Sequence, residues 1–70
     1  MNSNSQAKQN VAILGYLAEG RSLTSIEALY LFNCWRLAAR IYDLRKIGYP
    51  ILTYRIKTHD GKQIAKYVMP

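Results

Sequence analysis

The chain opens on a helical rhythm and closes on a strand rhythm. From Gln6 to Ala18 the apolar residues recur at spacings of three and four. Ala7, Val11, Leu14 and Leu17 or Ala18 then form one stripe, which predicts a first helix over residues 6–18. Ser5 stands where an N-cap belongs, and Gly20 where a left-handed residue would stop the helix. Residues 1–5 are polar and predict a disordered, frayed terminus, leaving residues 6–70 as the folded domain.

Ser22–Leu23 reads as a short, extended connector. Thr24-Ser25-Ile26-Glu27 follows, a Thr-x-x-Glu capping box that starts a second helix near Ser25. Ile26, Leu29 and Phe32 are expected to face inward, and the small Ala28 to permit close helix approach. Asn33 interrupts the pattern and tolerates positive φ, as a sharp inter-helix turn requires. A third helix is predicted from Cys34 or Trp35 to Lys46, with Leu37, Ile41 and Leu44 as its core line and Ala38 beside them. Gly48 and Pro50 end it.

Ile51–Thr58 and Lys62–Met69 read as strands joined through Asp60-Gly61, a two-residue hairpin signal. That turn sets His59 against Lys62 and Arg55 against Lys66. Leu52, Tyr54, Ile56, Ala65, Tyr67 and Met69 then share an apolar face capping the core. The like-charged Arg55–Lys66 pair is unfavourable by itself, and makes sense if an anion lies across it. No internal repeat or low-complexity tract is visible. The fold class expected is α+β, three helices followed by a two-stranded hairpin, the element order of a winged helix-turn-helix.

Composition narrows the chemistry. Seventy residues make one domain, with a marginal core and no staple to reinforce it. A single cysteine, Cys34, and a single histidine, His59, allow neither an internal disulfide nor a structural zinc site. A lone thiol suits a reducing compartment, and Cys34 is expected to pack as a small apolar group. The longest apolar run, Val11–Ala18, is broken by Gly15 and falls far short of a membrane span, and Glu19 and Arg21 behind it argue against a secretory leader. No nucleophile–base set, phosphate-cradling glycine loop or metal-like carboxylate spacing is present, so neither catalysis nor a cofactor is expected.

Charge is the informative departure. The formal net charge is +6. Lys8 and Arg21 are balanced by Glu19 and Glu27 in the first half, so the excess lies in residues 36–70, on the third helix and the hairpin. Basic groups collected on one helix and one β-ribbon point to a polyanion, and duplex DNA is the expected partner.

In a winged helix-turn-helix the third helix enters the major groove and the ribbon straddles adjacent backbone. The residues at its start are then the candidates for base contact: Asn33, Trp35, Arg36, Ala39 and Arg40. Positions 36, 39, 40 and 43 are expected to share the outward face. Arg36 can bind guanine O6 and N7 together, or a phosphate. Asn33 can read adenine or serve as the turn residue. Arg40 can meet DNA or pair with Asp43 three residues on. Trp35 can stack on the sugar backbone, fill the core or anchor a partner. Lys46, Arg55, Lys57, His59, Lys62 and Lys66 are candidates for backbone contact.

The stretch from Ser22 to Tyr67 resembles a family of small winged helix-turn-helix domains common in bacteriophages and prophages. The likeness is carried by residues 23–29 (Leu-Thr-Ser-Ile-Glu-Ala-Leu), by residues 37–45 (Leu-Ala-Ala-Arg-Ile-Tyr-Asp-Leu-Arg), by Gly48-Tyr49-Pro50-Ile51, and by Gly61-Lys62 and Tyr67. Members often carry Gly where this chain has Asn33, and Trp35 is unusual at its position. The resemblance implies DNA binding by the third helix and the wing in a phage regulatory setting, without specifying the process. The function expected is a transcriptional regulator or an excisionase-like architectural factor. The expected setting is the cytoplasm of a bacterial host, on nucleoid DNA. One module reads few base pairs, so a homodimer or cooperative oligomer is expected, with Ile13 and Tyr16 of the first helix as the nominated contact. The rival reading is a protein-interaction module, a phage inhibitor of a host protein, built on the same scaffold.

Overall fold

The computed structural model describes residues 3–70. Its elements run α1 (Ser3–Ala18), β1 (Leu23–Thr24), α2 (Ser25–Phe32), α3 (Leu37–Ile47), β2 (Leu52–Lys57) and β3 (Gln63–Val68). The strands form one antiparallel sheet in the order β1-β3-β2. The helices and one face of the sheet enclose a core of Ile13, Leu17, Leu23, Ala28, Cys34, Leu37, Ile41, Leu44, Ile51 and Tyr67. This is the expected α+β winged helix-turn-helix, with the extended connector recruited as a third strand.

Helix α1 begins before Gln6, so Ser5 lies inside the helix and is not its N-cap. Met1 and Asn2, part of the expected frayed end, fall outside the described residues. The buried stripe also differs from the expected one. Ile13 and Leu17 are fully buried, one turn apart, with Leu14 and Tyr16 packed beside them, while Ala7, Val11 and Ala18 are exposed. Apolar residues nearly encircle this helix, so more than one stripe satisfies the spacing; the pair of large branched side chains takes the core. Ile13 and Tyr16 are therefore not a free surface for self-association. Tyr16 and Phe32 of α2 pack in a T shape, ring centres 5.5 Å apart, and the Arg21 guanidinium lies over the Tyr16 ring.

Helix α2 starts as the capping box dictates. The Glu27 N–H donates to Thr24 Oγ1, and the Thr24 N–H donates to Glu27 Oε1 at 2.9 Å. Ala28 is fully buried, letting the neighbouring elements approach, and Leu29 and Phe32 are half-buried. Ile26, expected inside, is 56 % exposed, because the helix turns its smallest side chain to the core.

Asn33 ends α2 in the left-handed region, φ 51°. Its N–H donates to the Leu29 carbonyl, and the Cys34 N–H to that of Ala28. Gln9 Nε2 of α1 donates to the Asn33 carbonyl at 3.1 Å, tying the turn to the first helix. Cys34 then drops into the core, and α3 begins only at Leu37, later than expected. Arg36, at φ −129° and ψ 63°, is still non-helical and holds the N-cap position. Leu37, Ile41 and Leu44 form the buried line of α3 as the spacing required, while Ala38 is exposed. Gly48, at φ 123°, closes the helix, its N–H reaching Arg45 O and the Tyr49 N–H reaching Leu44 O.

The hairpin departs from expectation in its turn. The Thr58 N–H donates to the Lys62 carbonyl, and the Gly61 N–H to that of Thr58. The loop is thus His59-Asp60-Gly61, with Gly61 in a left-handed conformation (φ 87°), rather than the Asp-Gly pair alone. Asp60 selects this loop by accepting from the Thr58 hydroxyl and from the Lys62 N–H. The extra residue slips the register by one. Arg55 faces Ala65, Tyr54 faces Lys66 and Thr53 faces Tyr67. Leu52, Tyr54 and Ile56 therefore share their face with Ile64, Lys66 and Val68, turned away from the helices. The core-side face holds Thr53, Arg55, Lys57, Ala65 and Tyr67, and Leu23 joins it across from Tyr67.

Candidate nucleic-acid interface

The electrostatics are set by what the acids do. All four carboxylates are engaged within the chain. Glu19 pairs with Arg21 at 2.9 Å, Glu27 serves the capping box, Asp43 holds Arg40 at 3.1 Å, and Asp60 holds the wing turn. Asp60 lies at the tip in full solvent. The Thr58 hydroxyl and then the Lys62 N–H hold its carboxyl below the ordinary carboxylate range. Among the described residues, Arg36, Lys46, Arg55, Lys57, Lys62 and Lys66 make no ion pair. The positive excess is thus uncompensated, and it sits on α3 and the wing.

The expected base-contact residues divide. Arg36 is the N-cap of α3, exposed, with no side-chain capping bond; its carbonyl accepts from the N–H groups of Ala39 and Arg40. Trp35 is 79 % exposed in the turn just before it, so it does not fill the core. Asn33 is the turn residue, its backbone committed to α2 and to Gln9. Ala39 is half-buried. Arg40 is folded down, its side chain 12 % exposed and its Nη2 on Asp43 Oδ2.

The outward face of α3 therefore differs from the expected set of 36, 39, 40 and 43. The exposed positions within the helix are Ala38, Tyr42, Arg45, Lys46 and Ile47. Arg40 and Asp43 cover each other, which withdraws both from the solvent front. Tyr42 and Lys46, one turn apart, form a cation–π contact of 5.7 Å.

Arg45, which carried no functional expectation, joins α3 to the wing. Its Nε donates to the Ile51 carbonyl at 2.9 Å and its Nη2 to Thr53 Oγ1 at 2.7 Å. Nothing in the local sequence signals a contact that depends on the strand's position. Thr53, Arg55 and Lys57 alternate along one face of β2, so Arg55 and Lys57 project from the same side of the sheet as α3. Lys66 projects from the opposite side, beside Tyr54. The expected Arg55–Lys66 anion clamp does not form, because the register slip separates its two halves onto different faces. His59 and Lys62 lie exposed at the wing tip.

A helix-turn-helix followed by a hairpin, with unpaired cations on the third helix and the wing, defines a DNA-binding class of domain. The winged helix-turn-helix domain family matches residues 8–70, and the chain belongs to that family. Neither a curated protein nor a solved structure matches the chain. Among the described residues no helix is long and apolar enough to cross a membrane.

Proposed function

We propose that the protein is a sequence-specific double-stranded DNA-binding protein. The N-terminal half of α3 enters the major groove, and the wing lies on adjacent backbone. The observation that carries this reading is the asymmetry of charge commitment: every acid is used internally, while Arg36 and Lys46 at the ends of α3 and the cations of the wing make no ion pair among the described residues. Arg36 and Lys46 flank the groove-facing helix. Arg55 and Lys57 on the helix side of the sheet, with Lys62 and His59 at the tip, serve the backbone. Arg40 acts through the fold, positioning α3 by its pairing with Asp43, and Asn33 acts as the turn.

The finer reading is a phage or prophage transcriptional regulator or an excisionase-like architectural factor, acting in the cytoplasm of a bacterial host. It rests on the resemblance carried by residues 23–29 and 37–45. A footprint on a promoter operator supports the regulator, and one on repeated attachment-site elements the architectural factor. Self-association on DNA belongs to the proposal, since a single short helix contacts few base pairs.

The test is binding to random duplex at two salt concentrations. Phosphate-driven binding weakens steeply, with a log–log slope of about −0.9 for each phosphate neutralised. A second reading is favoured by Tyr30 and Trp35, which are 84 % and 79 % exposed, with Ile26 and Leu31 more than half exposed on the same helix as Tyr30. These groups suit a protein partner. Absence of duplex binding at low salt would transfer the function to that surface.

A further inference from the structure

Along α3 the free charges stand at the two ends and the middle is neutral. Arg36 is exposed at the N-cap, and Lys46 is exposed in the last turn. Ten helical steps of about 1.5 Å separate their backbones by about 15 Å, comparable to a major groove about 12 Å wide. Between them the exposed side chains are Ala38 and Tyr42, one turn apart, with the half-buried Ala39 beside them, and Arg45, which is turned to the wing by its bonds to Ile51 and Thr53. Two long cations lie in that interval and both are committed within the fold: Arg40 to Asp43, with its side chain 12 % exposed, and Arg45 to the Ile51 carbonyl and Thr53 Oγ1.

This arrangement has a chemical consequence. A methyl side chain offers neither donor nor acceptor, so it cannot read guanine, adenine or cytosine by hydrogen bonding. The major groove displays one apolar group, the 5-methyl of thymine, and alanine methyls and aromatic edges are its natural partners. Small side chains at 38 and 39 also let the helix backbone sit close to the base edges. Tyr42, one turn on, is 62 % exposed, with Lys46 over its ring.

We infer that α3 reads thymine by its methyl group, with Ala38 and Tyr42 as the specificity-determining residues and Arg36 and Lys46 as flanking anchors. The inference rests on the DNA-binding reading above. It specifies the ligand as duplex DNA with thymine at the steps facing Ala38 and Tyr42.

The experiment uses the full chain and a duplex selected from a random library. Each thymine is replaced in turn by deoxyuridine, which removes the methyl and leaves pairing intact. Affinity is measured at fixed salt against the unsubstituted duplex. The expected result is a loss of about fourfold at one or more positions, the size of one buried methyl(ene) group. That loss disappears in Ala38→Gly or Tyr42→Ala for the thymine each faces. Because deoxyuridine changes only the DNA, the wild-type measurement stands even if a variant folds poorly. Equal affinity for thymine and deoxyuridine duplexes, or a selected site without thymine, overturns the inference while salt-dependent binding keeps the DNA reading intact. Loss of site preference in a folded Arg40→Met variant would also overturn it by returning readout to Arg40. No binding to any duplex at low salt would remove both readings together.

Discussion

Arg40 and Asp43 stand one turn apart on α3 and hold each other through an Nη2–Oδ2 contact of 3.1 Å. The arginine is nearly covered and the aspartate 38 % exposed, so the pair is neither a surface ornament nor a fully desolvated one. Removing the acid leaves a mostly buried guanidinium without its counter-charge. Asp43→Ala should therefore destabilise the fold by about 1–2 kcal/mol, between the values of exposed and buried pairs. Urea denaturation reads this directly. Arg40→Met, which keeps the apolar stem, should retain sequence preference on DNA, whereas Arg36→Ala should lose affinity.

The inter-helix turn makes a second, backbone prediction. Asn33 holds φ 51°, a conformation that strains side chains with branched Cβ atoms. Asn33→Val should cost about 1–2 kcal/mol, while Asn33→Gly should be close to neutral. In a domain of this size each kcal/mol lowers the thermal midpoint by about 4–8 °C, so a melting curve separates the two variants.

What the sequence disclosed, and what it concealed, divides by how local the determining interaction is. The Thr24–Glu27 box, the Asn33 turn and the Leu37–Ile41–Leu44 line each depend on residues a few positions apart, and each was readable. The stripe of α1 was not, because apolar residues nearly surround that helix and only the packed neighbours select Ile13 and Leu17. The hairpin failed at one residue. Asp-Gly occurs in both two- and three-residue loops, and the choice here lies with the Thr58 hydroxyl bonded to Asp60. That one-residue difference moved Leu52 and Tyr54 off the core side and parted Arg55 from Lys66. On α3 the spacing located the buried line and the end of the helix but not its start, which falls at Leu37 because Arg36 remains non-helical. The withdrawal of Arg40 into its ion pair, and the link from Arg45 to Thr53, required the third dimension.

The wing tip should respond to acid. The hydrogen bond from Thr58 depresses the Asp60 carboxyl, so its contribution is present above the unfolded carboxylate value and is lost as pH falls through the lower, folded one. Acidification below about pH 4 should loosen the turn while the helices remain. Amide exchange at Gly61 and Lys62 against that of the α3 core measures it. Asp60→Asn should flatten the dependence.

The capping box offers a third stability test. Thr24 is 6 % exposed, serves as N-cap of α2 and pairs with Lys66 in the sheet. Thr24→Ala removes the acceptor for the Glu27 N–H and leaves that carboxylate with only the backbone of residue 24. The expected loss is about 1–2 kcal/mol, in the upper part of the range for N-cap threonines. Far-UV circular dichroism through a urea titration should show it as an earlier midpoint with an unchanged slope.

The wing cations predict how binding depends on salt. Arg55 and Lys57 lie on the helix side of the sheet and Lys62 at its tip, where phosphates carry no sequence information. If each meets one phosphate, Lys57→Ala and Lys62→Ala should each make the log–log salt slope shallower by about 0.9, and the double variant by about twice that. Affinity should fall by the same factor on a selected site and on random duplex, leaving their ratio unchanged. Lys66→Ala is the control, because the slipped register turns Lys66 to the face away from α3, beside Tyr54. It should leave the slope nearly as it was. A slope that responds to Lys66 but not to Lys57 would mean that the outer face of the wing, with Leu52 and Tyr54, is the one laid on DNA.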